Sequence, residues 1–461
     1  MHHALLSSTS RATTAAIVPV AKRQLAETLD RLDAAAAQWA RVNGFAASPG
    51  EIALVPAPDG RLAKVLFGLG DAGGAADPFI YGTLPKALPA GRYRFAPAPE
   101  RGDLAALAWV LGTYAFGRYR KTDAREVHLK LPAGVDGTDV TRIAESVFLA
   151  RDLINTPAND LGPAELEQAA RELAKQYRAH VAVTAGAKLD ERGFTLIRAV
   201  GQASTRVPRL IDLNWGDRKH PKVTLVGKGV CFDSGGLDLK TATGMALMKK
   251  DMGGAANALA LARMVMDAGL PVRLRVLVPA VDNVLSGDAF RPGDVYRSRK
   301  GITVEIGNTD AEGRLILADA LALADESAPD LLIDLATLTG AARVALGPDL
   351  PPFYTDDDGL AADLARLATE TNDPLWRMPL WPAYAGELDS EIADVNHITK
   401  NAFAGSITAA LFLKRFVERA RSWLHLDIYA WTPKARPARP EGGEAQAIRA
   451  LYALFKERFA R

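Results

Sequence analysis

Asp310 and Glu312 stand two residues apart in Asn308-Thr309-Asp310-Ala311-Glu312-Gly313-Arg314-Leu315, with Arg314 two residues further on. An apolar run, Ile302 to Ile306, reads as a strand leading in, and Leu315 to Leu323 reads as the helix leading out. The crevice at the carboxyl end of a strand is where open α/β sheets bind ligands. A second polar stretch, Gly227 to Gly236, follows the apolar run Val223 to Val226. It carries Lys228 and Asp233, with Lys240 close behind. Asp251 precedes Met252-Gly253-Gly254, where a helical run from Ala255 begins. Four carboxylates, Asp233, Asp251, Asp310 and Glu312, thus fall at strand ends or helix starts. Crowded together without partners they would repel and raise one another's pKa. Two divalent cations would cancel four negative charges, and paired metals are a known solution for hydrolysis.

Each residue has an ordinary explanation when taken singly. Asn308, Thr309 and Asp310 suit a helix N-cap, and acids suit a first turn. Asp233 suits an Asx-turn, Asp251 a helix cap, and Lys228 a solvated loop. What these explanations leave open is why so many charges gather at glycine-rich strand ends. The seven histidines (His2, His3, His128, His180, His220, His397 and His425) all lie outside the two stretches, and His-Glu-x-x-His is absent. Oxygen donors without imidazole or thiolate suit Mn or Mg and are compatible with Zn.

These residues need a scaffold, and the chain supplies an alternating one. The first 140 residues read as a small α/β domain. Strand-like runs Glu51 to Val55 and Leu62 to Phe67 flank a Pro58-Asp59-Gly60 turn. Helical stretches are expected around Leu32 to Ala37 and from Leu104 to about Arg120, the latter capped by Asp103, and Val127 to Leu131 reads as another strand. Residues 141–461 read as a larger domain. A helix from Asp139 to Ile154 leads in and another, Ala164 to Tyr177, follows. Strands are expected at His180 to Thr184, Arg209 to Leu213, Val223 to Val226, Leu274 to Val278, Ile302 to Ile306, Leu331 to Leu335 and Leu424 to Ile428. Helices are expected near Ala255 to Asp267, Leu315 to Asp325, Leu360 to Thr369, Ser406 to Ala420 and Ala445 to Phe459. Alternation of this kind predicts an α/β fold whose mostly parallel central sheet is flanked by helices. Gly68 to Gly73 matches G-x-G-x-x-G, but Gly74-Ala75-Ala76-Asp77-Pro78 is a poor helix start, so a loop is expected there and not a dinucleotide site.

Composition sets the outer bounds. The 461 residues are 48% hydrophobic and 24% charged, the make-up of an ordinary globular protein. Fifty-six basic and 54 acidic residues leave a net charge of +2. Basic runs are short (Lys22-Arg23, Arg118 to Lys121, Lys434 to Arg439), so they read as solvated surface and no nucleic-acid partner is expected. The single cysteine, Cys231, rules out an internal disulfide and fits a reducing compartment. No apolar run approaches the ~18 residues of a membrane span. A cytoplasmic location is the expectation.

The octapeptide Asn308 to Leu315 is identical to NTDAEGRL, and on it the chain resembles the leucyl aminopeptidase family of cytosolic two-metal aminopeptidases. Gly227 to Gly236, Met248 to Ala256, Asn155 to Asn159 and Asp334 to Ala341 resemble other segments of that family, and the likeness covers roughly residues 140 to 461. The resemblance implies a metal-dependent enzyme that releases N-terminal amino acids from peptides, leucine among them. Asp233, Asp310 and Glu312 would hold two metals, with Glu312 bridging, and Asp251 and Lys228 would complete one metal's shell. Lys240 would stay charged and stabilise the oxyanion, and Arg314 would hold a bicarbonate ion acting as general base. Thr337 and Leu338 would offer backbone groups to the substrate, and Met248, Thr337 and Gly340 would line the pocket for its first side chain. The metals would acidify bound water and polarise the carbonyl. A homohexamer is also implied.

The chain departs from the family pattern in places. Cys231 stands where threonine is common, and is expected to be a small buried residue. Asp238 stands where serine is common, and could pair with Lys240 or face away. Asn396 to Phe403 is bulkier than expected, which bears on substrate preference and the rim of the site. Two rivals remain at this level: a two-metal hydrolase of another substrate class, such as phosphoesters, and an added DNA-binding role.

Overall fold

A computed structural model of the chain describes residues 1–71, 77–121 and 125–460. The chain divides into two compact units, Met1–Phe148 with Lys434–Glu441, and Leu149–Pro433 with Gly442–Arg461. The segment Lys434–Glu441 thus groups with the N-terminal residues although it lies late in the chain.

The first unit is built on six strands in the order Leu5–Leu6, Val127–Lys130, Gly91–Phe95, Ala15–Ala21, Leu62–Gly70 and Ile52–Pro56. Only the last pair is antiparallel, closed by the turn at Pro58-Asp59-Gly60. The helix Gly102–Gly112 is apolar around its circumference and is buried throughout apart from Asp103. It stops well short of Arg120. Gly112 packs so closely on Gly82 that a Cβ would stand 2.1 Å from the Gly82 carbonyl oxygen, which only glycine permits. Of the glycine-rich stretch, Gly68 and Gly70 end the strand Leu62–Gly70, and Gly73 lies outside the described residues.

The second unit is organised by a nine-stranded sheet. Its main order is Trp376–Arg377, Pro352–Tyr354, Trp423–Asp427, Leu331–Ala336, Lys222–Gly227, Arg273–Asn283, Arg209–Trp215 and His180–Ala185. The central strands run parallel, and antiparallel pairs sit towards the margins. Every residue of Leu331–Ala336 is buried, as an interior strand covered on both faces requires. Leu315, Ile316 and Leu317 of the helix Glu312–Asp325 belong to the same apolar core as Val226, Leu277 and Leu332.

One irregularity in this sheet creates the site. The long strand Arg273–Asn283 pairs with Lys222–Gly227 along its first half and with Gly229–Asp233 along its second. Lys228 falls at the break. Its N–H donates to the Leu335 carbonyl (3.0 Å) and its own carbonyl accepts from Ala255 N–H (2.9 Å), so the chain is pinned where it changes course.

Three elements differ from the sequence reading. The strand before the octapeptide, Thr303–Glu305, is not part of the central sheet; it lies in a three-stranded sheet with Val295–Arg297 and Val395–Asn396. It has a single buried residue, Val304, between half-buried Thr303 and Glu305, too polar for an interior position. The helix expected to reach Ala420 ends at Lys414. Beyond it, the Asp325 carboxylate accepts from the backbone N–H groups of Glu418, Arg419 and Ala420 at 2.8–3.0 Å and holds a turn instead. The last helix begins at Ile448, and Asp373 accepts from the N–H groups of Ala447, Arg449 and Ala450 at its start.

Candidate metal centre

Asp233 is delivered by the end of the strand Gly229–Asp233, and Asp251 by a short 3-10 turn, Met248–Met252, that precedes the helix Gly253–Asp267. Asp310 sits in another 3-10 turn, Thr309–Ala311, capped by the Asn308 side chain (2.7 Å to Asp310 N–H). Glu312 opens the helix Glu312–Asp325, where its charge also suits the helix dipole. One carboxylate oxygen from each of Asp233, Asp310 and Glu312 lies within 4.8 Å of the others. Asp251 joins them through Lys228, whose Nζ lies 2.8 Å from Asp251 Oδ2 and 3.0 Å from Glu312 Oε1. Lys240 Nζ lies 2.8 Å from Asp233 Oδ2 and also contacts Asp310 Oδ1. The four acids and two lysines chosen from the sequence therefore form one cluster.

The electrostatics are those of a crowded anionic site. Burial, then the neighbouring Asp233 charge, pushes the Glu312 carboxyl well above the usual range. Burial and Asp251 push Asp233 up to about 6 despite both lysines. Burial works against the Lys228 cation, but Asp251, Glu312 and Asp233 outweigh it and hold the ammonium protonated well above the ordinary lysine range. Lys240 is likewise raised, because Asp233 and its other acidic neighbours outweigh burial.

The donor set fits divalent cations. Asp251 Oδ2, Asp310 Oδ1 and Glu312 Oε1 are buried oxygens that each meet a lysine ammonium and, among the described residues, no neutral donor. Carboxylates crowded together are held there by positive charge, and hard cations prefer such oxygen ligands. A cavity of about 510 Å³ opens beside the cluster, lined by Lys228, Asp233, Asp251 and Asp310 on one part of its wall and Met248, Thr337, Leu338 and Gly340 on another. Glu312 and Arg314 are not among its lining residues.

The remaining expected residues are placed as follows. The Thr337 carbonyl accepts from Lys228 Nζ (2.9 Å), and Thr337 Oγ1 donates to Asp251 Oδ1 (2.7 Å). The Leu338 N–H donates to Asp427 Oδ1 (3.0 Å). Arg314 is buried, and its Nη1 donates to the His397 carbonyl (2.8 Å) while Nε has no acceptor. Burial pushes the guanidinium down to about 10. Asp238 does not pair with Lys240: its Oδ2 accepts from Thr309 N–H (2.7 Å) and Oγ1 (3.0 Å), tying the two stretches together. Cys231 is buried, and burial raises its thiol pKa well above the ordinary value. The cavity takes no lining residue from Asn396 to Phe403.

Several residues escaped the sequence reading. Asn283 Nδ2 donates to Asp233 Oδ1 (2.9 Å) and to the Thr309 carbonyl (3.0 Å), orienting both stretches at once. His397 is fully buried, with Nε2 2.9 Å from the Asn308 carbonyl and Nδ1 3.1 Å from the Gly307 N–H. Burial and the Arg314 charge push it down to about 3, so the neutral ring braces the octapeptide. Its place in a bulky stretch was visible; its partner some ninety residues away was not. Lys250, Arg343 and Tyr429 line the cavity, and nothing in the sequence pattern singled them out.

An α/β sheet that converges carboxylates and lysines beside a cavity suits a metal-dependent hydrolase, and comparison with known proteins makes it one that acts on peptides. The catalytic-domain model of the cytosol aminopeptidase family matches residues 148–452, and the model of the M17 aminopeptidase N-terminal domain matches residues 15–132. The chain belongs to this family of metal-dependent aminopeptidases. A probable cytosol aminopeptidase of Roseiflexus castenholzii is 42% identical over 366 residues, 76% of this chain and 75% of the relative. One from Geobacter sp. (strain M21) is 40% identical over 78% of this chain and 76% of its own length. Among solved structures, the cytosol aminopeptidase from Coxiella burnetii is 46% identical with a TM-score of 0.94, covering 99% of this chain and 100% of that one. The bottromycin maturation enzyme BotP in complex with Mn is 34% identical with a TM-score of 0.87, covering 97% of this chain and 99% of that one. No helix among the described residues is long and apolar enough to cross a membrane.

Proposed function

We propose that the chain removes N-terminal residues, leucine among them, from peptides in the cytoplasm, using two divalent cations held by Asp233, Asp251, Asp310, Glu312 and Lys228. The observation that carries this reading is the convergence of Asp233, Asp310 and Glu312 within 4.8 Å, with buried carboxylate oxygens that, among the described residues, meet only lysine ammonium groups as donors. Mn is favoured by the complex of BotP with that metal, and the all-oxygen carboxylate set accommodates Mg or Zn as well. Such cations would supply Lewis acidity for the carbonyl and acidify water at neutral pH.

The chain's own groups account for the rest. The Lys228 ammonium lies among three acids and would have to release its proton to act as a ligand. Positive charge held by the same carboxylates would favour that release. Lys240 now rests on Asp233 and Asp310; with those acids neutralised, its ammonium is available to the oxygen that gains charge as the peptide carbonyl is attacked. Arg314 is the anchor for bicarbonate as general base: its guanidinium is buried, pairs with no carboxylate among the described residues, and keeps Nε without an acceptor. Met248, Thr337 and Gly340 receive the first side chain, and Thr337 and Leu338 present backbone to the peptide. A homohexamer belongs to the same reading, and exposed Trp376, Trp381, Ile392 and Phe403 supply apolar surface for it to cover.

The test is turnover of leucine-p-nitroanilide by Mn-loaded protein, with p-nitrophenyl phosphate alongside. Peptidase turnover is expected. Phosphatase turnover without it would overturn the assignment. Light scattering on the same sample should give six chains per particle.

A further inference from the structure

Two cations in the cavity wall have no role in the chemistry described above. Lys250 is 4% exposed, and its Nζ lies 4.7 Å from the centre of the Tyr429 ring. Arg343 sets its Cζ 4.9 Å from the centre of the same ring. Both line the cavity. Among the described residues, neither side chain has a carboxylate within ion-pair distance or makes a hydrogen bond. For the buried Lys250, a cation–π contact eases the cost of the charge but leaves it without an ion pair.

Acids share this wall: Asp251 follows Lys250 in the chain, Asp427 lies in the same lining, and both act on the Lys250 cation. Met248 lies two residues before Lys250, and a Cβ built on Gly340 would come within 3.8 Å of Arg343 Nη2. Thr337 and Leu338 lie in the same wall. Asp427 in this wall is held by neutral donors and forms no ion pair with either cation: Oδ1 accepts from Leu338 and Thr339 N–H, and Oδ2 from Thr339 and Ser406 hydroxyls. Two positive groups bracing one aromatic ring, next to the residues proposed to take the first side chain, make a recess with two cations that no ion pair engages among the described residues.

We infer that Lys250 and Arg343 form an anion-accepting subsite that selects peptides beginning with aspartate or glutamate. This rests on the aminopeptidase reading and on Met248, Thr337 and Gly340 lining the first side-chain pocket. A carboxylate entering the recess would pair with the buried Lys250 and the exposed Arg343 through charge-assisted hydrogen bonds. Leucine, which offers the two cations nothing, would bind less well than glutamate.

The test uses the Mn-loaded full chain with Leu-, Glu- and Asp-p-nitroanilides, which carry no C-terminal carboxylate. The ratio of kcat/KM for Glu over Leu is measured in wild type, Lys250→Met and Arg343→Gln, with bound metal determined for each. The ratio should exceed one in wild type and fall by at least about tenfold in each variant, chiefly through KM for the acidic substrate. If Lys250→Met loses metal through its neighbour Asp251, Arg343→Gln alone decides. An unchanged ratio in variants that keep their metal would overturn the inference. So would Leu turnover in wild type with no turnover of Glu or Asp. A Lys250 that instead met a peptide's C-terminus would leave the arylamide ratio unmoved and change Leu-Gly against Leu-Gly-amide, which also counts against it. Failure to hydrolyse any of the arylamides would instead strike the aminopeptidase reading itself.

Discussion

Gly313 leaves room for Lys228: a Cβ on Gly313 would stand 2.5 Å from Lys228 Cε and 2.7 Å from its Nζ. The glycine of the octapeptide is thus a spatial requirement of a lysine eighty-five positions earlier (313 − 228). Gly313→Ala should push the lysine off Asp251 and Glu312. We expect a stability loss of about 1–3 kcal/mol from overpacking and a lower metal content per chain, measured by thermal melting and elemental analysis. Full metal content in a stably folded Gly313→Ala protein would show that the lysine's position is not critical.

Glu312 touches Lys228 and shares a 4.8 Å cluster with Asp233 and Asp310. Glu312→Ala should reduce turnover below detection while circular dichroism stays as in wild type, because on the proposed reading the change removes a metal-bridging ligand. Near-wild-type activity would sink the two-metal assignment.

Lys240 is held by two of the acids but is not itself assigned as a ligand. Lys240→Ala should lower kcat by about 10²–10³-fold, the effect of removing an oxyanion donor, with bound metal unchanged. Loss of metal in that variant would reverse the roles of Lys228 and Lys240.

Much of this site was legible because its residues are close in sequence. Asp310 and Glu312 lie two residues apart, and Asp233 and Asp251 stand beside glycines, so spacing and glycine content announced the acids, while the roles of Lys228, Lys240 and Arg314 came from the resemblance of the surrounding segments. What stayed hidden was set by contacts between distant segments. Asn283 bonds to Asp233 fifty positions away, and His397 braces Asn308 across eighty-nine. Periodicity located the interior strands, such as Leu331–Ala336, because continuous burial leaves an apolar run. It placed Thr303–Glu305 in the wrong sheet, because a three-residue strand carries too little pattern to say what it pairs with. Helix ends were misjudged where a remote acid, Asp325 or Asp373, decides which N–H groups are satisfied.

His425 supplies a pH signature in the central sheet. Its Nδ1 lies 2.5 Å from Asp334 Oδ1, both side chains being fully buried. Burial opposes the imidazolium, but Asp334 outweighs it and raises the pKa above 6.5. A histidine raised in the folded state contributes stability that is fully present below its unfolded pKa and is lost as pH rises through the folded value. The melting-temperature gap between wild type and Asp334→Asn should therefore be wider at pH 6 than at pH 9. At pH 6 the change should cost about 3 kcal/mol, as breaking a buried pair does. A gap that is constant or widens with pH would show the pair to be uncharged throughout.

The central claim is that four carboxylates and Lys228 hold two cations on which turnover depends. Its most direct test is to strip the protein with chelator and titrate Mn back while following leucine-p-nitroanilide hydrolysis. Activity should be absent at the start and reach its plateau at two equivalents per chain. Full activity in the exhaustively chelated protein, or a plateau at one equivalent, would contradict the account.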